Sequence, residues 1–172
     1  LNAKIPKMIA VASGKGGVGK TWFAITLSHA FAKAGRKTLL FDGDLGLANV
    51  DIQLGLMPKH DLGAVVSGRM PLNQATTTYE EGGFDIVAGR SGSGNLANVS
   101  AKSLNTLAEE LILLSQAYDQ VILDLGAGVE RTVRNLTNSV DTILVITTDE
   151  PTAMTDAYAF IKISHMERTN LD

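Results

Sequence analysis

A chain of 172 residues with 45% apolar residues and a net charge of −3 has the length and composition of one domain with a real core. The charge excludes a global positive field that would gather nucleic acid or acidic lipid, although a local basic patch stays open. With no cysteine there is no disulfide framework and no thiolate metal site, and no apolar run approaches the roughly 18 residues of a membrane helix, so the expectation is a cytoplasmic protein.

In chain order, residues 8–12 (Met-Ile-Ala-Val-Ala) read as a short buried strand. Ser13-Gly14-Lys15-Gly16-Gly17-Val18-Gly19-Lys20-Thr21 follows and contains G-x-x-x-x-G-K-[ST] from Gly14 to Thr21. Residues 22–34 then read as a helix, with Phe23, Leu27, Ala30, Phe31 and Ala34 on one apolar stripe. Strand, glycine loop and helix together make a phosphate cradle. Glycines let successive N–H groups turn inward, the helix N-terminus adds partial positive charge, Lys20 can reach the β- and γ-phosphates and Thr21 can ligate Mg²⁺. The plainer alternative is a glycine turn before a helix. Lys15 is a second cation on the same loop. It is either a solvated surface lysine or a group that reaches a phosphate across a subunit boundary.

Residues 37–41 form a second strand, ending in Asp42-Gly43-Asp44-Leu45-Gly46-Leu47-Ala48-Asn49-Val50-Asp51. Asp42 and Asp44, just past a strand's C-terminal end, lie where open α/β sheets bind ligands. They are a polar turn, or carboxylates that hold metal-bound water or orient an attacking water. Residues 52–82 are less regular, with short helices at 62–66 and from 71–75. Residues 84–89 are a third strand, followed by a glycine- and serine-rich loop at 90–95. Ser103 is positioned to cap a helix with Leu104, Leu107, Ala108, Leu111 and Leu114 inward and Glu109 and Glu110 outward. Residues 119–124 are a fourth strand with an apolar run ending in Asp124, a Walker B pattern, placing that acid on Thr21 or on magnesium-bound water. Gly126 belongs to the small residues after it, whose N–H groups can approach a γ-phosphate. Residues 130–139 suit a helix, 142–147 a fifth buried strand, and Pro151 at N1 starts a last helix. His29, His60 and His165 are scattered, without metal-ligand spacing.

Lys15-Gly16-Gly17-Val18-Gly19-Lys20-Thr21 resembles the deviant Walker A motif of the MinD/ParA family of dimerising ATPases. Residues 44–51, 124–128 and 150–158 are more similar to its FleN/FlhG branch, the regulators of flagellar number and placement. The resemblance implies an α/β P-loop NTPase fold of the SIMIBI type, a mainly parallel sheet with helices on both faces and strand order third, second, fourth, first, fifth. It implies a single ATPase domain over 1–172, with ATP and Mg²⁺ as cofactors. Gly14, Lys15, Gly16, Gly17, Val18, Gly19, Lys20, Thr21, Trp22 and Gly126 would bind nucleotide, and Thr21, Asp42 and Asp124 would attend the metal. Lys15, Lys20 and Asp44 would be catalytic, with Asp44 tied to water activation and Lys15 inserted into the partner's site. Glu150 and Asp156 would lie near the dimer face, or simply be helix N-terminal charge.

Gly43, Trp22 and Leu125, the last where a hydroxyl residue is common, depart from the branch's pattern. The implied partners are ATP/ADP, a second copy of the chain, and a flagellar GTPase, flagellar switch protein or transcription activator. No direct nucleic-acid binding is implied. Membrane contact, peripheral at the inner membrane, would come only through a C-terminal tail not seen here. The expectation is therefore a fragment lacking C-terminal strands and helix. A division- or partition-positioning ATPase, and a small-molecule ligase of the dethiobiotin synthetase type with 90–95 as its only candidate pocket, are the alternatives.

Overall fold

The computed structural model describes residues 7–45, 48–89 and 99–169. The 90–95 loop and residues 46–47 of the Asp-rich stretch lie outside the described residues. In chain order the elements are β1 (Met8–Ser13), α1 (Lys20–Lys33), β2 (Thr38–Gly43), α2 (Val50–Leu54), α3 (Leu62–Val66), a 3₁₀ turn (Leu72–Ala75), β3 (Thr76–Tyr79), β4 (Phe84–Val87), α4 (Ala101–Ser115), β5 (Gln120–Ala127), α5 (Arg131–Thr137), β6 (Thr142–Val145) and α6 (Pro151–Thr169). One sheet runs β3-β4-β2-β5-β1-β6. All pairings are parallel except β3 with β4, an antiparallel hairpin with Thr76 opposite Val87 and Tyr79 opposite Phe84.

The five expected strands take the expected order, and β3 is an addition to it. Its Thr-Thr-Thr-Tyr has no apolar alternation. Its signal was β-propensity and the Gly82-Gly83 turn that follows.

The apolar central strands, buried on both faces, fit a parallel sheet covered by helices; β6, expected to be a fully buried strand, is instead an edge strand and only half-buried, because nothing pairs with its outer side among the described residues. One core cluster joins alternate strand residues such as Ala10, Phe41 and Leu123 to α3, α4, α5 and Phe160 of α6. The other joins Ile9, Val11, Leu40 and Ile122 to α1 and α2.

Three helices differ in detail from expectation. The α1 residues that disappear are Lys20, Ala24 and Ser28, while Ala30 and Ala34 are exposed and Phe23, Leu27 and Phe31 are only half-buried. Small residues let this helix lie close on β1 and β5. α4 starts earlier: Ser100, not Ser103, is its cap, accepting from Ser103 N at 3.1 Å. Glu110 is half-buried rather than outward, because its carboxylate accepts from Leu72 N at 2.6 Å. On α6, whose spacing predicts an inner face of Ala153, Ala157, Phe160, Ile161 and Ser164, Ala153, Ala157 and Phe160 are buried and Ser164 half-buried, whereas Ile161 is exposed.

Candidate nucleotide site

The C-terminal ends of β1, β2 and β5 open into a cleft of about 610 Å³. One wall is the loop from β1 into α1, contributing Gly16, Gly17, Gly19, Lys20, Thr21 and Trp22. Gly19, with φ +91°, holds the left-handed conformation that turns the chain into α1, a position suited to glycine. No side chain caps the first turn of α1, so its N–H groups face the cleft as an anion site would require. The opposite walls are Gly43, Asp44, Leu45, Asn49 and Gln53 from the β2–α2 region, and Gly126 and Ala127 at the end of β5 with Glu130, Thr132 and Val133 beyond it.

Lys20 Nζ donates to Asp124 Oδ1 at 2.6 Å, and both side chains are nearly buried. Burial raises the Asp124 pKa, opposed by Lys20 and by the Thr21 hydroxyl. Asp124 Oδ2 is buried without a hydrogen bond of ordinary geometry. Asp124 sits within β5 and, like Asp42, does not itself line the cleft; a carboxylate with one unpaired oxygen beside a hydroxyl suits a hard cation that takes oxygen ligands. Asp44 lines the cleft opposite Gly126, where an added Cβ would come within 3.5 Å of its carboxylate.

Asp42 is placed differently from Asp44. It is fully buried and does not line the cleft. Oδ1 accepts from Asp44 N at 3.2 Å, and Oδ2 accepts from Asn49 N and Val50 N at 3.1 Å each. Burial, with smaller contributions from Asp124 and Asp44, pushes its pKa up to about 7 against the pull of these N–H groups.

Gly14 and Lys15 lie on the far side of the loop, against α6. A Cβ on Gly14 would run into the backbone of Asp156 and Ala157, so only glycine admits the helix there. Lys15 Nζ donates to Glu150 Oε2 at 2.9 Å and to Thr152 Oγ1 at 3.3 Å, outside its own cleft. The Glu150 carboxylate raises the Lys15 pKa, and Lys15 lowers that of Glu150. Val18 is half-buried in the loop and is not among the cleft residues.

Sequence reasoning did not single out Asn49, Gln53, Glu130 or Thr132. The i, i+4 spacing of Asn49 and Gln53 across α2, with Gln53 Nε2 to Asn49 Oδ1 at 3.4 Å, was the available signal for the first pair. Among the described residues, no group of three or more His, Cys, Asp or Glu side chains forms a metal cluster.

Residues 9–166 match the CbiA family, described as the CobQ/CobB/MinD/ParA nucleotide binding domain. The chain is 40% identical over 157 residues to the antiactivator FleN of Pseudomonas aeruginosa, a match covering 91% of this chain and 56% of that protein. It is 36% identical over 166 residues to the flagellum site-determining protein YlxH of Helicobacter pylori, covering 96% and 56%. The chain thus spans about half the length of the curated relatives it matches. The fold superposes on the septum site-determining protein MinD of Pyrococcus horikoshii, complexed with Mg-ADP, with a TM-score of 0.80 at 27% identity, covering 94% of this chain and 65% of that one.

Proposed function

The chain belongs to the CobQ/CobB/MinD/ParA nucleotide-binding family, and on that premise we propose that it is the ATPase part of a positioning regulator that closes as a dimer on Mg-ATP and opens after hydrolysis. The observation that carries this reading is the buried Lys20–Asp124 pair under a glycine loop and an uncapped helix N-terminus. Lys20 is held where it can exchange a carboxylate for phosphate oxygens. Thr21 and Asp124 are the residues that would hold magnesium, which would neutralise charge developing on the β- and γ-phosphates. Asp44, on the facing wall, would orient the water that attacks the γ-phosphorus while the bond to ADP breaks. Gly126 and Ala127 line the cleft and would present only small residues to the γ-phosphate.

Lys15 would cross into a partner's site, leaving Glu150 and Thr152. A second copy is its natural destination, since in the single chain it faces away from the cleft.

A role in flagellar number or placement is favoured by FleN and YlxH, and the name antiactivator favours a transcription activator as partner over a flagellar GTPase or switch protein. Septum placement is the second reading, favoured by the match to MinD. Either reading calls for a protein acting in the cytoplasm with peripheral membrane contact, and fractionation of cells into cytosol and membrane tests it.

Phosphate release by the purified chain with Mg-ATP tests the chemistry. Release that is absent at every protein concentration sinks the ATPase reading. Deleting the gene and counting flagella by electron microscopy tests the biology: altered number or position supports the flagellar role, and normal flagella with misplaced septa transfer it to division.

A further inference from the structure

We infer that Asp42 is a positioning residue rather than a ligand in a metal shell: seated over Gly89, its carboxylate strings up the loop that carries Asp44 and Asn49 into the cleft. This rests on the Mg-ATP reading of the cleft, but its geometry stands apart from any nucleotide.

The two buried aspartates are used differently. A carboxylate offers about four acceptor positions. At Asp42, three are taken by N–H groups of a single loop: Asp44 on one oxygen, Asn49 and Val50 on the other. At Asp124, one oxygen holds Lys20 and the other has no hydrogen bond of ordinary geometry. Asp42 also supplies what α2 lacks. Asn49 precedes that helix with no side-chain cap of its own, and the Asp42 carboxylate receives the N–H groups at its start. The consequence lies on the cleft wall, where Asp44, Asn49 and Gln53 appear and Asp42 does not.

The seat of the clamp is Gly89, just past β4. A Cβ there would run into the Ala48 side chain and come within 3.1 Å of the Asp42 carboxylate carbon. Ala48 is itself buried at 3% exposure, so it has nowhere to retreat. Gly89 therefore sets how closely Ala48 and the Asp42 carboxylate can approach the end of β4, although it is not itself a cleft residue.

The test compares the whole chain with Asp42→Asn, Gly89→Ala and the double variant Ala48→Gly/Gly89→Ala. Asn at 42 keeps the size but turns a donor toward N–H groups. Amide hydrogen exchange without nucleotide is read first. Both single variants should speed exchange at Asn49 and Val50 by about tenfold or more, and the double variant should recover most of the protection. With Mg-ATP, both singles should lower turnover by about tenfold while the magnesium concentration for half-maximal nucleotide binding stays within about twofold of wild type.

Unchanged exchange in Asp42→Asn overturns the inference. So does a magnesium requirement that rises steeply in Asp42→Asn and not in Gly89→Ala, the signature of a metal-shell carboxylate. No recovery in the double variant removes Gly89 from the clamp. If the wild-type chain takes up no Mg-ATP, the proposed function fails, and the exchange arm still decides the role of Asp42.

Discussion

Lys20 and Asp124 are each other's counter-charge in a nearly dry site, so removing one strands the other. Asp124→Ala should cost about 3–5 kcal/mol of stability in the nucleotide-free protein, because a buried ammonium loses the carboxylate it touches. Urea unfolding checks this, and a midpoint equal to wild type would show that the pair is solvated. Lys20→Ala should weaken ATP about 10- to 150-fold, the range for one charge-assisted bond to phosphate. Titration calorimetry with unchanged affinity would remove Lys20 from the site. Asp42 predicts a pH effect. Its folded pKa of about 7 lies above its ordinary value of about 3.9, so the folded protein binds a proton that the unfolded chain releases. That contribution to stability is fully present below the unfolded value and is lost as pH rises through about 7. The melting temperature of metal-free wild type relative to Asp42→Asn should therefore rise on going from pH 8 to pH 5. Parallel melting curves across that window would contradict it.

At the scale of elements, α6 is seated on the start of the glycine loop through Gly14, with Lys15 held by Glu150 and Thr152 at the helix's first turn. Gly14→Ala should push α6 off, since the added methyl meets backbone that cannot rotate away. Gly16→Ala is the control, because nothing lies within 4 Å of its added Cβ. Limited proteolysis within α6 should be fast in the first variant and slow in the second, and equal rates would show that α6 is not seated on Gly14. This contact was invisible in the sequence, where Gly14 reads only as the first letter of a phosphate motif. What was legible had a local cause. Strands buried on both faces carry unbroken apolar runs, and the glycine loop imposes its own geometry, so both declare themselves in a few residues. The hairpin strand β3 did not, since threonines say little about a face. Asn49 and Gln53 did not either, because α2 is five residues long and owes its start to a carboxylate seven or eight positions upstream. Whether Asp42 faces metal or loop depends on which N–H groups fold over it, and residue type cannot encode that.

For the whole molecule, the outer side of α6 displays Met154, Tyr158 and Ile161 beside the Lys15–Glu150 pair, an exposed apolar strip on the side to which the loop lysine is directed. Wild type should run as a dimer with Mg-ATP and as a monomer with ADP or no nucleotide. Lys15→Ala should bind ATP as a monomer and stay one. Light scattering after size exclusion reads this, and ATP-dependent dimers in the variant would end the cross-subunit role of Lys15. Among the described residues no helix is long and apolar enough to cross a membrane. The strand order also carries a clock. β1 pairs with β5 and β6 alone, Met8 opposite Val121 and Ile9 opposite Thr142. On a ribosome adding about 5–20 residues per second, β1 waits roughly 6 to 23 seconds for its first neighbour to be made. Until then its six residues are an unpaired apolar strand, and the glycine loop hangs from nothing. Loop closure over such separations is slow as well as late. The Lys20–Asp124 pair under the glycine loop forms only once β5 is made, so nucleotide binding to a chain arrested before residue 120 should be lost.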